Sequence, residues 1–290
     1  MHDDHDRGLL FDLQIMRRRQ LLGLMAAGGG ALMLQGCGGS GDSGTTATSS
    51  ATTTTTTTTT GTGTTGTGTT GSTTCASTPT ETNGPYPADG SNMANGVLSN
   101  ILNTSGVLRS DIRTSFAGLS GTAAGVPLTL TINLVNVNSA CAALADYAIY
   151  IWHADALGQY SIYDLPQQNY LRGVQTTNAN GQATFTTIVP GCYAGRYPHI
   201  HFEVFRSLAT ATAYANRSLV SQFAIPAAVC QAVYAAGGYG QSAQRFTQTS
   251  TASDNVFGDN TSAQIAAMTP SLTGDPTAGY TGSVTVGLAV

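Results

Sequence analysis

Two histidines, His199 and His201, stand one residue apart in the stretch "GRYPHIHFEVF" over residues 195–205. The run alternates like a β-strand, and successive strand side chains point to opposite faces. Both imidazoles then share one face, about 7 Å apart at the backbone. Ile200, Phe202 and Val204 take the other face, which must be the core. Such a pair can converge on one metal ion; the plainer alternative is two solvent-exposed histidines on a half-buried strand. The chain holds only five histidines, two of them before residue 6, so adjacency on one face is not compositional noise. Just upstream, Pro190-Gly191-Cys192-Tyr193 reads as a turn leaving the preceding strand, and Gly158-Gln159-Tyr160 follows the strand "IWHADA" in the same manner. Two tyrosines and two histidines would thereby meet at one end of a sheet. Taken singly, each of the twelve tyrosines is an ordinary packing residue with a hydrogen-bonded hydroxyl. As a set they suit a hard trivalent ion such as Fe(III), which is acidic enough to strip a phenol of its proton. Zinc and copper sites more often use His, Cys and carboxylate.

The elements that must position these groups are legible as alternation. "PLTLTINLVNV" puts Leu128, Leu130, Ile132 and Leu134 on one face and Thr129, Thr131 and Asn133 on the other, a half-buried strand. "YAIYIWHADA" is apolar on both faces. "NANG" (178–181) is a turn, "QATFTTIV" a further alternating strand, and "GSVTVGLAV" closes the chain. Residues 81–115, with turn formers Asn83-Gly84-Pro85 and Asp89-Gly90, read as an extended, loop-rich arm. "AAVCQAVYAAG" (227–237) predicts a short helix with Pro226 at its start. Short strands between Gly, Pro and Asn turns predict an all-β fold: a β-sandwich of mainly antiparallel strands with long loops and few short helices.

The order of these motifs resembles the intradiol ring-cleavage dioxygenases, the non-haem iron enzymes related to catechol and protocatechuate dioxygenases. The shared stretches are W-x-A-[DN]-x-x-G-x-Y (152–160), R-G (172–173), P-x-x-Y (190–193) and R-x-x-H-I-H (196–201), followed by "SQFAIP" (221–226). "TETNGPYP" and "LRSDIR" resemble the family's E-G-P-Y arm and R-x-D-I-R segment, so the likeness covers most of residues 81–222. By that resemblance Tyr160, Tyr193, His199 and His201 ligate Fe(III), with Tyr160 and His199 equatorial and Tyr193 and His201 axial. Arg196 matches the family's active-site arginine and Gln222 a glutamine near the substrate. The implied reaction uses O2 to cleave a catechol between its two hydroxyl-bearing carbons, giving a muconate-type diacid. The diol binds as a dianion and displaces Tyr193, which takes a proton. The arm departs from the family in having two extra residues between Glu81 and Gly84, which shifts one wall of the pocket. His153 reads as packing or support rather than as a ligand, and Cys192 as disulfide-bonded or merely buried, with the disulfide favoured.

Composition bounds the remaining possibilities. Net charge is −4, giving no basic footprint for nucleic acid. No lysine occurs, which excludes a Schiff-base or P-loop lysine. No G-x-S-x-G elbow or H-E-x-x-H helix competes with the histidine pair. Arg17-Arg18-Arg19 before an apolar run resembles a twin-arginine signal, and Leu34-Gln35-Gly36-Cys37 resembles a bacterial lipobox, so residues 1–37 read as an export signal with Met1 or Met16 as start. The expected location is periplasmic or cell-surface, with Cys37 as a lipid anchor. Residues 38–80, dominated by Thr, Gly and Ser, have too little apolar surface to offset their ordering entropy and read as a disordered linker, with a reach on the order of 35 Å. Residues 81–290 are the folded domain. Cys75, Cys141, Cys192 and Cys230 permit two disulfides. The expected partners are a small aromatic diol and O2. Two other readings use the same residues: a non-catalytic β-sandwich that binds a phenolic ligand or a protein, and a zinc or copper hydrolase or oxidase. The two tyrosines argue against both.

Overall fold

The computed structural model describes residues 75–290. The export signal, the lipobox and the linker up to residue 74 lie outside the described residues.

Strand β3 (Pro127–Asn136) buries Leu128, Leu130, Ile132 and Leu134 and leaves the intervening Thr and Asn positions partly exposed, as its alternation requires. It is the hub of a five-stranded sheet. β7 (Gln182–Ile188) and the two-residue β4 (Ala142–Ala143) pair with it antiparallel. β11 (Gly279–Leu288) pairs with it in parallel, and β10 (Ser271–Asp275) edges β11. A four-stranded antiparallel sheet runs in the order β6 (Arg172–Thr176), β5 (Ala148–Trp152), β8 (His199–Phe205), β9 (Arg217–Ala224). One core cluster joins Leu130 and Phe185 of the first sheet to Ile149, Ile151, Phe202 and Phe223 of the second. The domain is thus strand-rich, with helices confined to α1 (Ala227–Ala236), α2 (Ser242–Phe246), α3 (Ser262–Met268) and two single 3-10 turns. The helix predicted over 227–237 is α1, with Pro226 at its N-cap.

Three expectations are corrected. Residues 81–115 are not all loop: β1 (Asp89–Ala94) and β2 (Val97–Asn100) form a hairpin over Asn95-Gly96. Both turn residues have positive φ, 51° and 81°, which a two-residue primed turn needs. Its outward residues Met93, Val97 and Leu98 are exposed, so the usual apolar-in pattern is missing. Second, the described residues contain one disulfide, Cys75–Cys141; Cys192 and Cys230 are free and buried. Each thiol packs in the core near a backbone carbonyl, Cys192 Sγ 3.5 Å from Arg196 O and Cys230 Sγ 3.9 Å from Ile225 O. Third, order begins before residue 81. Besides the disulfide, Thr78 N donates to Gly287 O and Gly287 N to Thr78 Oγ1, tying residues 75–80 to β11.

Candidate metal centre

β8 is buried on both faces, because the hairpin arm and the loop after β5 cover the side that the first sheet does not. His199 is 2% and His201 1% exposed, so the solvent-exposed alternative fails. Their Nε2 atoms face each other at 3.0 Å, and Tyr193 Oη lies 3.3 Å from His199 Nε2. His199 Nδ1 meets the Tyr197 carbonyl at 2.5 Å. A carbonyl only accepts, so Nδ1 carries the proton and the Nε2 lone pair faces the cluster. His201 stacks on its cross-strand neighbour Trp152, with centroids 4.8 Å apart and planes within 5°. Gly84 (φ +69°) packs against the imidazole edge; a Cβ there would lie 3.1 Å from His201 Cε1. Burial, then the charge of Arg196, lowers the His199 pKa to about 3. Burial and then His199 push His201 well below the usual imidazole range. Both rings are therefore neutral near pH 7, the form that ligates.

The loops that deliver the tyrosines are tied together. Asp155 Oδ1 accepts from Leu157 N and Gln159 N, folding the turn after β5, and Asp155 O accepts from Gly158 N and Gly191 N. The turn carrying Tyr193 thus rests on the turn carrying Tyr160. Gly158 (φ +82°) sits at the junction, where a Cβ would come 3.0 Å from Tyr193 Cβ. The Tyr160 ring is 5.7 Å from that of Tyr193 and 6.3 Å from that of His201, centroid to centroid. Its hydroxyl is buried and faces the Tyr193 phenol. Burial, then the phenol of Tyr193 beside it, raises its pKa well above the ordinary phenol value, so it stays protonated unless a cation draws the proton off. No group of three or more His, Cys, Asp or Glu gathers among the described residues, so a metal here would draw on the mixed set of two imidazoles and two phenols. Two neutral imidazoles and two phenols gathered at one buried point fit a hard trivalent ion.

Beside this cluster opens a cavity of about 520 Å³, lined by Tyr86, Tyr160, Tyr193, Arg196, Gln241 and Arg245 among others. It is large enough for a single aromatic ring. Arg196 is buried; its Nε donates to Asp254 Oδ2 at 3.0 Å and its Nη2 to Gln222 Oε1 at 2.6 Å. Gln222, opposite His201 on β9, donates from Nε2 to Thr82 O in the arm. All six singled-out residues therefore gather around one end of β8, although Gln222 reaches the cavity through Arg196 rather than lining it. His153 stays apart, held by Thr187 Oγ1 and Ala154 O. Sequence reasoning missed Asp254, which belongs to no motif and lies 58 residues from its arginine, and Gln241 and Arg245, which come from the short α2 region.

Residues 108–236 match the family model described as Dioxygenase. The sequence matches none of the curated proteins. Among solved structures, the chain is similar to an intradiol ring-cleavage dioxygenase from Tetranychus urticae, with 23% identity and a TM-score of 0.51, over 74% of this chain and 95% of that one. A second dioxygenase crystal structure is similar at 24% identity and a TM-score of 0.53, with the same coverage. The dioxygenase domain of a carbohydrate-binding fusion from Streptomyces sp. SirexAA-E gives 23% identity and a TM-score of 0.45, over 74% and 99%. At these identities the structural likeness speaks to the fold.

Proposed function

We propose that the chain is an exported non-haem Fe(III) enzyme of the intradiol ring-cleavage dioxygenase family, cleaving a catechol-type ring with O2 to a muconate-type diacid, a reading supported by the match of residues 108–236 to the Dioxygenase family model. The observation that carries this reading is the convergence of Tyr160, Tyr193, His199 and His201 on one buried point beside a ring-sized cavity. Those four side chains would hold the iron, on a scaffold we read as a β-sandwich. Bound there, Fe(III) supplies a Lewis acid that draws electron density out of a chelated diol.

The remaining work falls to the chain's own groups. Both tyrosines line the cavity, but Tyr160 is 1% exposed and Tyr193 is half-buried, so the Tyr193 oxygen, as the phenolate that an iron would hold, is the one more open to take a proton from an incoming diol. Arg196 lines the same cavity with a charge that no accessible pH removes, and stabilises negative charge developing on the ring. Pro85 and Tyr86 wall the cavity on the arm side, where the Tyr86 ring packs against that of Tyr160, tilted by 32° with centroids 4.7 Å apart. The export signal, the lipid anchor at Cys37 and the tethering role of the linker belong to the same proposal.

The test is the iron content and visible spectrum of the purified full-length protein before and after anaerobic addition of catechol, followed by oxygen uptake. About one iron per chain, a tyrosinate-to-iron band that moves to longer wavelength with catechol, and oxygen consumption are expected. A protein that stays colourless after iron loading overturns the reading in favour of a binding module.

A further inference from the structure

Arg196 is 2% exposed and permanently charged, so its direction must be set by acceptors inside the protein. Its carboxylate partner is Asp254, in a tight loop after α2 and outside the family-matched residues 108–236. Asp254 is itself 2% exposed, and both its oxygens are fully engaged. Oδ1 accepts from Val256 N at 2.8 Å and Phe257 N at 3.1 Å, which fixes the carboxylate plane. Oδ2 accepts from Tyr197 N at 2.6 Å and from Arg196 Nε at 3.0 Å. Burial raises the Asp254 carboxyl, but the charge of Arg196 and the hydrogen bonds from Arg196 and the Tyr197 N–H outweigh it and hold the group ionised. An anion locked on one oxygen by two backbone N–H groups leaves the other a fixed reference point for the guanidinium. Held there by Nε, Arg196 turns Nη2 onto Gln222 Oε1, and Gln222 anchors on Thr82 O of the arm.

We infer that Asp254 positions Arg196 for ring cleavage, through the relay Asp254–Arg196–Gln222–Thr82. The inference rests on the ring-cleavage reading for its catalytic meaning, and on the geometry alone for the positioning. D254N is the sharp variant. Its amide oxygen still accepts from Val256 N and Phe257 N, so the loop keeps its cap, but its amide nitrogen cannot accept from Arg196 Nε.

The experiment compares iron-loaded full-length wild type, D254N, R196Q and the double variant in oxygen uptake with catechol, together with a crystal structure of D254N. A misaimed charged group costs on the order of a hundredfold, so D254N should lose about that much kcat/KM, in kcat more than in KM. In the R196Q background the same change should cost less than about threefold, because a residue acting through another has nothing left to act on. The crystal structure should show the Arg196–Gln222 hydrogen bond broken. Activity of D254N within about twofold of wild type, or an equal loss in both backgrounds as a purely structural role gives, overturns the inference. So does an undisturbed Arg196–Gln222 contact in D254N. If D254N does not fold, D254E replaces it: an intermediate loss supports the positioning, and unchanged turnover overturns it. A wild type that does not cleave catechol defeats the ring-cleavage reading and leaves the positioning to the crystal structure of the variant.

Discussion

The two tyrosines carry the same functional group in different surroundings, and that difference assigns their roles. Both line the cavity, but Tyr160 is 1% exposed and packs against Tyr86, while Tyr193 is half-buried and touches His199. Tyr193→Phe removes the exposed proton acceptor and keeps the ring, so kcat should fall by about a hundredfold or more, the usual worth of a positioned general base. The protein should stay folded with a shifted visible band. His199→Ala removes the imidazole whose Nε2 lone pair faces the cluster and should abolish stoichiometric iron, read by metal analysis. A variant that retains both iron and activity would mean that the ligand set is elsewhere. Gly158 is the backbone counterpart of these side chains. G158A forces a Cβ into positive φ and against Tyr193, and should cost about 1 kcal/mol or more in urea unfolding, with a loss of turnover beyond what the stability change explains.

At the scale of the element, β8 has two buried faces and only one of them is apolar. Ile200, Phe202 and Val204 enter the main core, while His199, His201 and Glu203 lie under the arm. Glu203 is fully buried beside Asp89 of β1. Burial first, then Asp89, raises its pKa well above the ordinary glutamate value, so the carboxyl is held protonated against its neighbour. A folded-state pKa above the unfolded one binds the extra proton in the native state. The stabilisation is complete below about pH 4.3 and is lost as pH rises toward the folded pKa. Glu203→Gln keeps the hydrogen-bonding shape without an ionisable proton. Its melting temperature should exceed that of wild type at pH 8, with the gap closing toward pH 5 in a thermal series; a pH-independent gap would exclude ionisation as its cause. The elements themselves were unevenly legible. β3 announces itself because a single buried face imposes strict alternation on Leu128 to Leu134. The β1–β2 hairpin was hidden because its outward Met93, Val97 and Leu98 break that rule, and its only sign is Asn95-Gly96. Burial of the histidines could not be read from β8 either, since what covers them is an arm and a loop from distant parts of the chain.

Across the whole molecule, chemistry-bearing residues come from places that local pattern does not connect. His199, Tyr193 and Tyr160 advertise themselves by residue type and by the turns beside them. Asp254 advertises nothing, because an acid in a loop acquires meaning only when the chain returns it to Arg196. The N-terminal strap is a similar long-range device. Cys75 bonds Cys141 in the turn between β3 and β4, Thr78 clips to Gly287 of β11, and Glu81 N donates to Val220 O of β9. The segment leading into the arm is therefore fixed to both sheets before it reaches Thr82, Gly84 and Tyr86 at the cavity. Breaking the disulfide frees a loop with a sequence separation of 66. Chain-entropy arguments put that at about 4 kcal/mol, and residual order in the unfolded chain lowers the expected loss in C75A/C141A to about 2–4 kcal/mol by urea unfolding. The hydrogen bonds of Thr78 and Glu81 remain in that variant, so the arm should still close the cavity and KM for catechol should change less than about twofold at temperatures where the protein is folded. A large rise in KM without unfolding would show that the strap, rather than the relay through Gln222, holds the arm over the cavity.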